Sequence, residues 1–175
     1  MFIDLNKMDA EGLELDGPLS VPDLEGSAGE PISISAATLR GTIRKGKHGF
    51  DLNAQLSGRA MLACSRCLAR LESSVESSFH LRLVPTAEGE PPQPPGDADD
   101  EIDVQICPEG RFDLMEAVAE QFYLNLPLKP VCRESCLGLC PTCGTDRNER
   151  ACGCRTTELD PRWAPLLERK DRSRE

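Results

Sequence analysis

Six cysteines fall within 23 residues near the C-terminal end of this chain: Cys132, Cys136, Cys140, Cys143, Cys152 and Cys154. Two more form a separate C-x-x-C at Cys64 and Cys67. Thiolates brought this close, in a reducing compartment, are most simply held together by Zn²⁺. The segment around them, residues 132–155, has almost no apolar side chains, so a metal must do there what a hydrophobic core does elsewhere.

Cys140-Pro141-Thr142-Cys143-Gly144 reads as a zinc-knuckle loop, with Gly144 permitting the turn that points amide N–H groups at sulfur. Cys152-Gly153-Cys154 can close that site. The second group then pairs Cys64 and Cys67 with Cys132 and Cys136, leaving Cys107 over as a buried or edge thiol. Spacing does not fix this division. The six clustered cysteines can be partitioned otherwise, and the expected count is one or two Zn²⁺. Cys136-x3-Cys140-x2-Cys143 also matches an iron–sulfur cluster spacing of radical enzymes, but the alternating strand–helix units of their barrel are missing. Cys64-x2-Cys67 could be a redox pair, yet it sits at a hairpin tip and not at a helix N-terminus, where a thiolate is stabilised.

The rest of the chain reads as a sheet. Phe50, Leu52, Ala54, Leu56, Gly58, Ala60 and Leu62 alternate with Asp51, Asn53, Gln55, Ser57 and Arg59, the period-two pattern of a half-buried antiparallel strand. Leu71, Val75, Phe79, Leu81 and Leu83 continue it, and a preceding strand near 37–45 turns through Gly46-Lys47-His48-Gly49. Strands this long twist and coil, and Gly58 is the expected bulge. Short edge strands are expected around Ile3 and Leu5 and around Leu13 and Leu15. Asp113 caps a helix, with Glu116 in the capping-box position and Leu114, Val118 and Phe122 on its apolar face. A last helix is expected to start at Asp160-Pro161, with Trp163, Leu166 and Leu167 along one side.

The expected class is α+β: a curved antiparallel β-sheet or partial barrel with one main helix and a zinc-bearing C-terminal segment. Residues 1–126 would form the sheet and helix, with a disordered acidic, Pro-rich loop at about 86–101. Residues 127–175 would form the cysteine-rich segment and a short helix, packed as one unit with the first part.

Charge and composition narrow the function. The formal net charge is −10, and two tetrathiolate zinc sites would bring it to about −14. Such a chain repels nucleic acid globally, so any RNA contact must be local or pass through a basic protein. Arg40, Arg44, Arg66 and Arg70 are the candidate phosphate contacts, read as one positive stripe on the outer sheet face. Only two histidines occur, His48 and His80, and neither has a motif partner. No phosphate loop or nucleophile elbow is present, and a four-cysteine zinc has no open position for water. The expectation is no enzyme and no small-molecule substrate. The first residues lack a cationic and apolar leader and no apolar run reaches membrane-spanning length, so a cytoplasmic protein without membrane contact is expected.

Four elements in order resemble the YceD family, which is linked to accumulation of large-subunit ribosomal RNA. They are Cys64-Ser65-Arg66-Cys67-Leu68; the helix from Asp113 leading into Leu126-Pro127-Leu128-Lys129-Pro130-Val131-Cys132; Cys136-Leu137-Gly138-Leu139-Cys140-Pro141-Thr142-Cys143-Gly144 with Asn148 and the C-x-C; and Asp160-Pro161-Arg162-Trp163-Ala164-Pro165-Leu166. The resemblance spans about residues 35–170. It implies a non-catalytic ribosome-biogenesis factor supporting synthesis, processing or accumulation of 23S ribosomal RNA. The implied partner is a large-subunit RNA precursor or a ribosomal or assembly protein. A thiol- or zinc-dependent redox regulator using Cys64 and Cys67 is the alternative. The pattern departs at Thr145-Asp146-Arg147-Asn148, where a Leu-Asn pair is more usual.

Overall fold

The computed structural model describes residues 1–9, 11–26, 29–87 and 103–154. It divides into two compact units: residues 1–63 with 70–130, and residues 64–69 with the chain from 131 onward.

Among the described residues the first unit is mostly sheet with one α-helix. Its strands are β1 (Phe2–Asp4), β2 (Leu13–Leu19), β3 (Leu24–Glu25), β4 (Pro31–Gly46), β5 (Gly49–Ala63), β6 (Arg70–Thr86), β7 (Asp103–Pro108) and β8 (Arg111–Asp113), followed by α1 (Leu114–Leu124). The main sheet runs β2-β4-β5-β6-β7, with β3 beside the start of β4; β1 and β8 form a separate ribbon. The β4–β5–β6 meander is the one the alternating residues predict. Gly46 pairs with Gly49 across a two-residue turn, and β5 stays in register with β6 from Phe50↔Leu83 to Ala63↔Arg70.

Two expectations change. The sheet is not purely antiparallel: β7 runs parallel to β6, from Leu81↔Asp103 to Thr86↔Pro108, and the sheet is not closed. A parallel neighbour needs a connection of about a dozen residues or more, and the stretch from 87 to 102 supplies that length. The second change concerns the bulge. Gly58 stays in register with Val75, while the irregularity lies in β4, where Ser35 pairs with Arg59 and Thr38 with Ser57. Ala36 and Ala37 thus oppose Gly58 alone, and Ala36 takes a left-handed φ of 50°. The expected acidic loop lies, apart from its first residues, outside the described residues. So does the expected helix at Asp160.

Odd-even alternation decides which face is buried. Leu39 and Ile43 of β4, Leu52, Ala54, Leu56, Ala60 and Leu62 of β5, and Val75, Leu81 and Leu83 of β6 point into one core. Leu114, Ala117, Val118 and Phe122 of α1 join that core from the helix. Spacings of three and four residues place these four on one helical face. Asp113 caps the helix by accepting from Met115 N at 3.0 Å. At the other end Asn125 Nδ2 donates to Gln121 O at 2.8 Å and to Ser77 Oγ at 3.1 Å. No helix among the described residues is long and apolar enough to cross a membrane.

Candidate metal centres

The second unit is built on two knuckles with one hydrogen-bond plan. In the first, Cys64 N donates to Ala69 O at 2.8 Å and Leu68 N to Cys64 O at 2.9 Å. In the second, Cys140 N donates to Thr145 O at 2.8 Å and Gly144 N to Cys140 O at 2.8 Å. The fifth residue of each turn is left-handed, with φ of 63° at Leu68 and 70° at Gly144. Glycine suits that position; leucine adopts it at a cost of about 1–2 kcal/mol. Both turns fold their amides back over the first cysteine.

These turns gather eight thiols in two groups. Cys64, Cys67, Cys132 and Cys136 form one, Cys140, Cys143, Cys152 and Cys154 the other, and within each the sulfur atoms all lie within 4.8 Å of one another. Cys64 Sγ is 3.9 Å from Cys136 Sγ, and Cys67 Sγ is 3.7 Å from Cys132 Sγ. Disulfides need about 2.05 Å. A tetrahedron with metal–sulfur bonds of about 2.3 Å has edges of about 3.8 Å. The separations therefore match ligands around a common ion. Cys64, Cys67 and Cys136 are buried and Cys132 is exposed; in the second group only Cys140 is buried.

Electrostatics point the same way. The Cys132, Cys67 and Arg66 N–H groups draw the Cys64 thiol down to about 6, and Cys132 N and Arg66 N lie 3.4 and 3.5 Å from its sulfur. The Cys143 and Thr142 N–H groups do the same at Cys140, also to about 6. Each first thiolate then opposes ionisation of its neighbours. At Cys67 the Ala69 N–H pulls down, but burial and the surrounding thiols push it up to about 12. At Cys154 the contact with Cys143, then burial, push it up to about 12. Four bare thiolates are thus mutually unfavourable, and a divalent cation is the group that lets all four ionise together. The residues fit Zn²⁺, which would offset half of the thiolate charge in each group and link the segments that bear them.

Two further side chains in this unit have defined work that spacing alone did not assign. Arg66 Nη1 donates to Glu134 O at 3.1 Å and to Cys136 O at 2.9 Å, tying the first knuckle to the Cys132–Cys136 turn. Asn148 Nδ2 donates to Cys136 Sγ at 3.4 Å. The sequence placed each beside a cysteine pair and within the motifs that carry the family resemblance, but assigned neither this work.

The ninth cysteine stands apart. Cys107 lies in β7, buried, and burial pushes its thiol up to about 11.

The candidate RNA contacts are dispersed. Arg40, Arg44 and Arg70 share the exposed face of the main sheet, and Arg66 belongs to the first knuckle. Arg44 pairs opposite Asp51 and Arg70 opposite Ala63, twelve positions apart along β5, or about 40 Å. Glu72 and Glu76 occupy rows between them, and Arg40 Nε is engaged by Asp16 Oδ1 at 3.1 Å.

Fold and site together define a cysteine-knuckle β-protein: among the described residues, an open mixed sheet with one α-helix, and a small unit carrying two preformed thiol tetrads. The profile of the family described as large ribosomal RNA subunit accumulation protein YceD matches residues 52–168. The chain belongs to the YceD family. It is 32% identical over 106 residues to an uncharacterized protein of Mycobacterium tuberculosis, covering 60% of this chain and 48% of the relative. It is 24% identical over 184 residues to the chloroplastic large ribosomal RNA subunit accumulation protein YCED homolog 1 of Arabidopsis thaliana, covering 93% of this chain and 55% of the relative. The chain thus spans about half the length of the curated relatives it matches. No solved structure matches it.

Proposed function

We propose that this protein is a non-catalytic, cytoplasmic ribosome-biogenesis factor that supports accumulation of 23S ribosomal RNA, with its second unit held by two structural Zn²⁺. Family membership supplies the ribosomal direction. The observation that carries the rest is the convergence of Cys64 and Cys67 with Cys132 and Cys136, far apart in sequence, into one thiol group. Four sulfur ligands fill a zinc coordination sphere, which leaves a structural role and no position for a reacting water.

The reading takes a specific form. A net charge of −10 and arginines spread along the sheet support contact with a basic ribosomal or assembly protein over a continuous phosphate-binding strip. The protein would serve the RNA by holding that partner. Affinity purification after nuclease digestion and high-salt washing tests it. A basic protein retained through both treatments is the expected result. Loss of every protein partner, with crosslinks to large-subunit RNA, would replace it with direct RNA binding.

One observation favours a redox reading: the lowered Cys64 thiol. Against it, Cys64 is fully buried, which closes off attack on a substrate disulfide.

A further inference from the structure

We propose that the two tetrads bind their ions cooperatively, and that Asn148 is the positioning residue that couples them. The inference rests on the metal-centre reading above and goes beyond it.

In sequence Asn148 belongs to the second tetrad, in the loop between Cys143 and Cys152. In space its side chain serves the first. Asn148 Oδ1 accepts from Leu137 N at 2.8 Å. Its Nδ2 donates to Cys136 Sγ at 3.4 Å and to Asp146 Oδ1 at 2.7 Å. The orientation of the amide is fixed by chemistry: Leu137 N can only donate, and a carboxylate and a thiolate can only accept. Asp146 Oδ1 also accepts from Asn148 N at 2.8 Å, so the loop presents its amide in one pose.

Backbone contacts follow the same route. Residues 137–139 lie between the first knuckle and the second tetrad's loop. Leu139 N donates to Arg66 O at 2.9 Å on one side. On the other, Arg147 N donates to Gly138 O at 3.0 Å, and Leu139 bridges Asp146. Gly138 has a φ of 71°, and a Cβ there would stand 2.9 Å from Arg66 O. The segment between the two centres is therefore closely fitted on both sides.

The physical link is direct. An ion in the second tetrad would tie Cys143 to Cys152 and so hold closed the loop that carries Asn148. The ordered amide then meets the Cys136 thiolate and stabilises its charge, which strengthens that sulfur's hold on the first ion. The ordering of that loop is then already met when the other ion binds, and by linkage each ion must help the other by the same factor. Loss of such an outer partner lowers metal affinity by about 10–100-fold.

Co²⁺ titration of the reduced, metal-free full chain, followed by its thiolate and d–d absorption, tests this. In wild type the two sites should fill together. Cys152→Ser with Cys154→Ser should leave a first site that binds about tenfold more weakly. Asn148→Ala and Asn148→Asp should show the same weakening at the first tetrad, and neither should add to it when the second tetrad is already disabled. Asn148→Asp keeps an oxygen for Leu137 N and loses the donor to both Cys136 Sγ and Asp146 Oδ1, while Asn148→Ala removes all three bonds without adding charge, so agreement between the two variants assigns the effect to the lost amide donor. The second tetrad's Co²⁺ spectrum should be unchanged in both Asn148 variants, which a general unfolding would not allow. Two sites that fill independently, or coupling that survives both Asn148 changes, would overturn the proposal while leaving two metal centres in place. Absence of any bound ion would overturn the metal-centre reading itself, and this proposal with it.

Discussion

Gly58 leaves the space that the Phe122 ring occupies. A Cβ at residue 58 would stand 2.7 Å from Phe122 Cζ and 2.9 Å from Cε1. Phe122 is among the largest fully buried side chains of the first unit. Gly58→Ala should therefore displace α1 or twist the ring off its rotamer, at a cost of about 1–3 kcal/mol. Chemical denaturation should show an earlier transition for the sheet, with metal content unchanged. A variant as stable as wild type would show that the helix yields freely.

Metal content divides the cysteines by position. Protein purified under reducing, anaerobic conditions should hold up to two Zn²⁺ per chain. Cys140→Ser or Cys143→Ser should remove one site. Cys107→Ser should leave the stoichiometry alone and lower stability by about 1–3 kcal/mol, because a hydroxyl costs more to bury than a thiol and its nearby acceptor, Gln105 O, is 3.7 Å from the present sulfur. Elemental analysis checks all three; metal loss from the Cys107 change would redraw the ligand set.

Arg66 is a structural arginine in this fold. Its two bonds to Glu134 O and Cys136 O come from one guanidinium nitrogen. Arg66→Ala should weaken the first tetrad by about tenfold, with Arg66→Lys recovering only part, since an ammonium is a flexible point donor. Competition with a chromophoric chelator reads this out. Unchanged zinc retention in Arg66→Ala would remove the arginine from the metal centre's support.

Charge reversals on the sheet address the partner. Arg44→Glu should leave association with large-subunit precursors within about twofold of wild type, because a lone exposed charge changes binding little. Co-sedimentation at two salt concentrations measures it. A steep loss, shrinking as salt rises, would restore direct phosphate contact.

Leu68 holds the left-handed position that glycine fills in the second knuckle, and it is 65% exposed. Leu68→Gly should relieve about 1 kcal/mol of backbone strain while losing little packing. The variant should resist chelator-driven zinc release for longer than wild type. Faster release would mean that the leucine side chain contributes more than its backbone costs.

Local signals carried much of the architecture. The meander was legible because period-two alternation over Phe50–Leu62 has few competing readings, and Asp113 announces α1 by its own capping chemistry. What stayed hidden depends on distant partners. Nothing in Val104 and Ile106 shows that β7 runs parallel to β6. Gly58 suggested a bulge in its own strand, but the glycine is there for the Phe122 ring and the extra residue is in β4. Arg40, Arg44 and Arg70 share a face, yet parity does not report distance along a strand. Arg66 read as a free cation because its acceptors are backbone carbonyls of residues nearly seventy positions later.

The first tetrad also constrains when the chain can finish folding. Cys67 and Cys132 bracket β6, β7, β8 and α1, so an ion bound there would close a long covalent loop around them. Treated as a cross-link, that closure would remove about 4 kcal/mol of entropy from the unfolded chain. During synthesis the hairpin tip at Cys64 emerges early and must wait, two thiols unsatisfied, until Cys136 follows. Zinc held by the tip alone would have only half its ligands, so the loop should lock only once Cys132 and Cys136 have emerged.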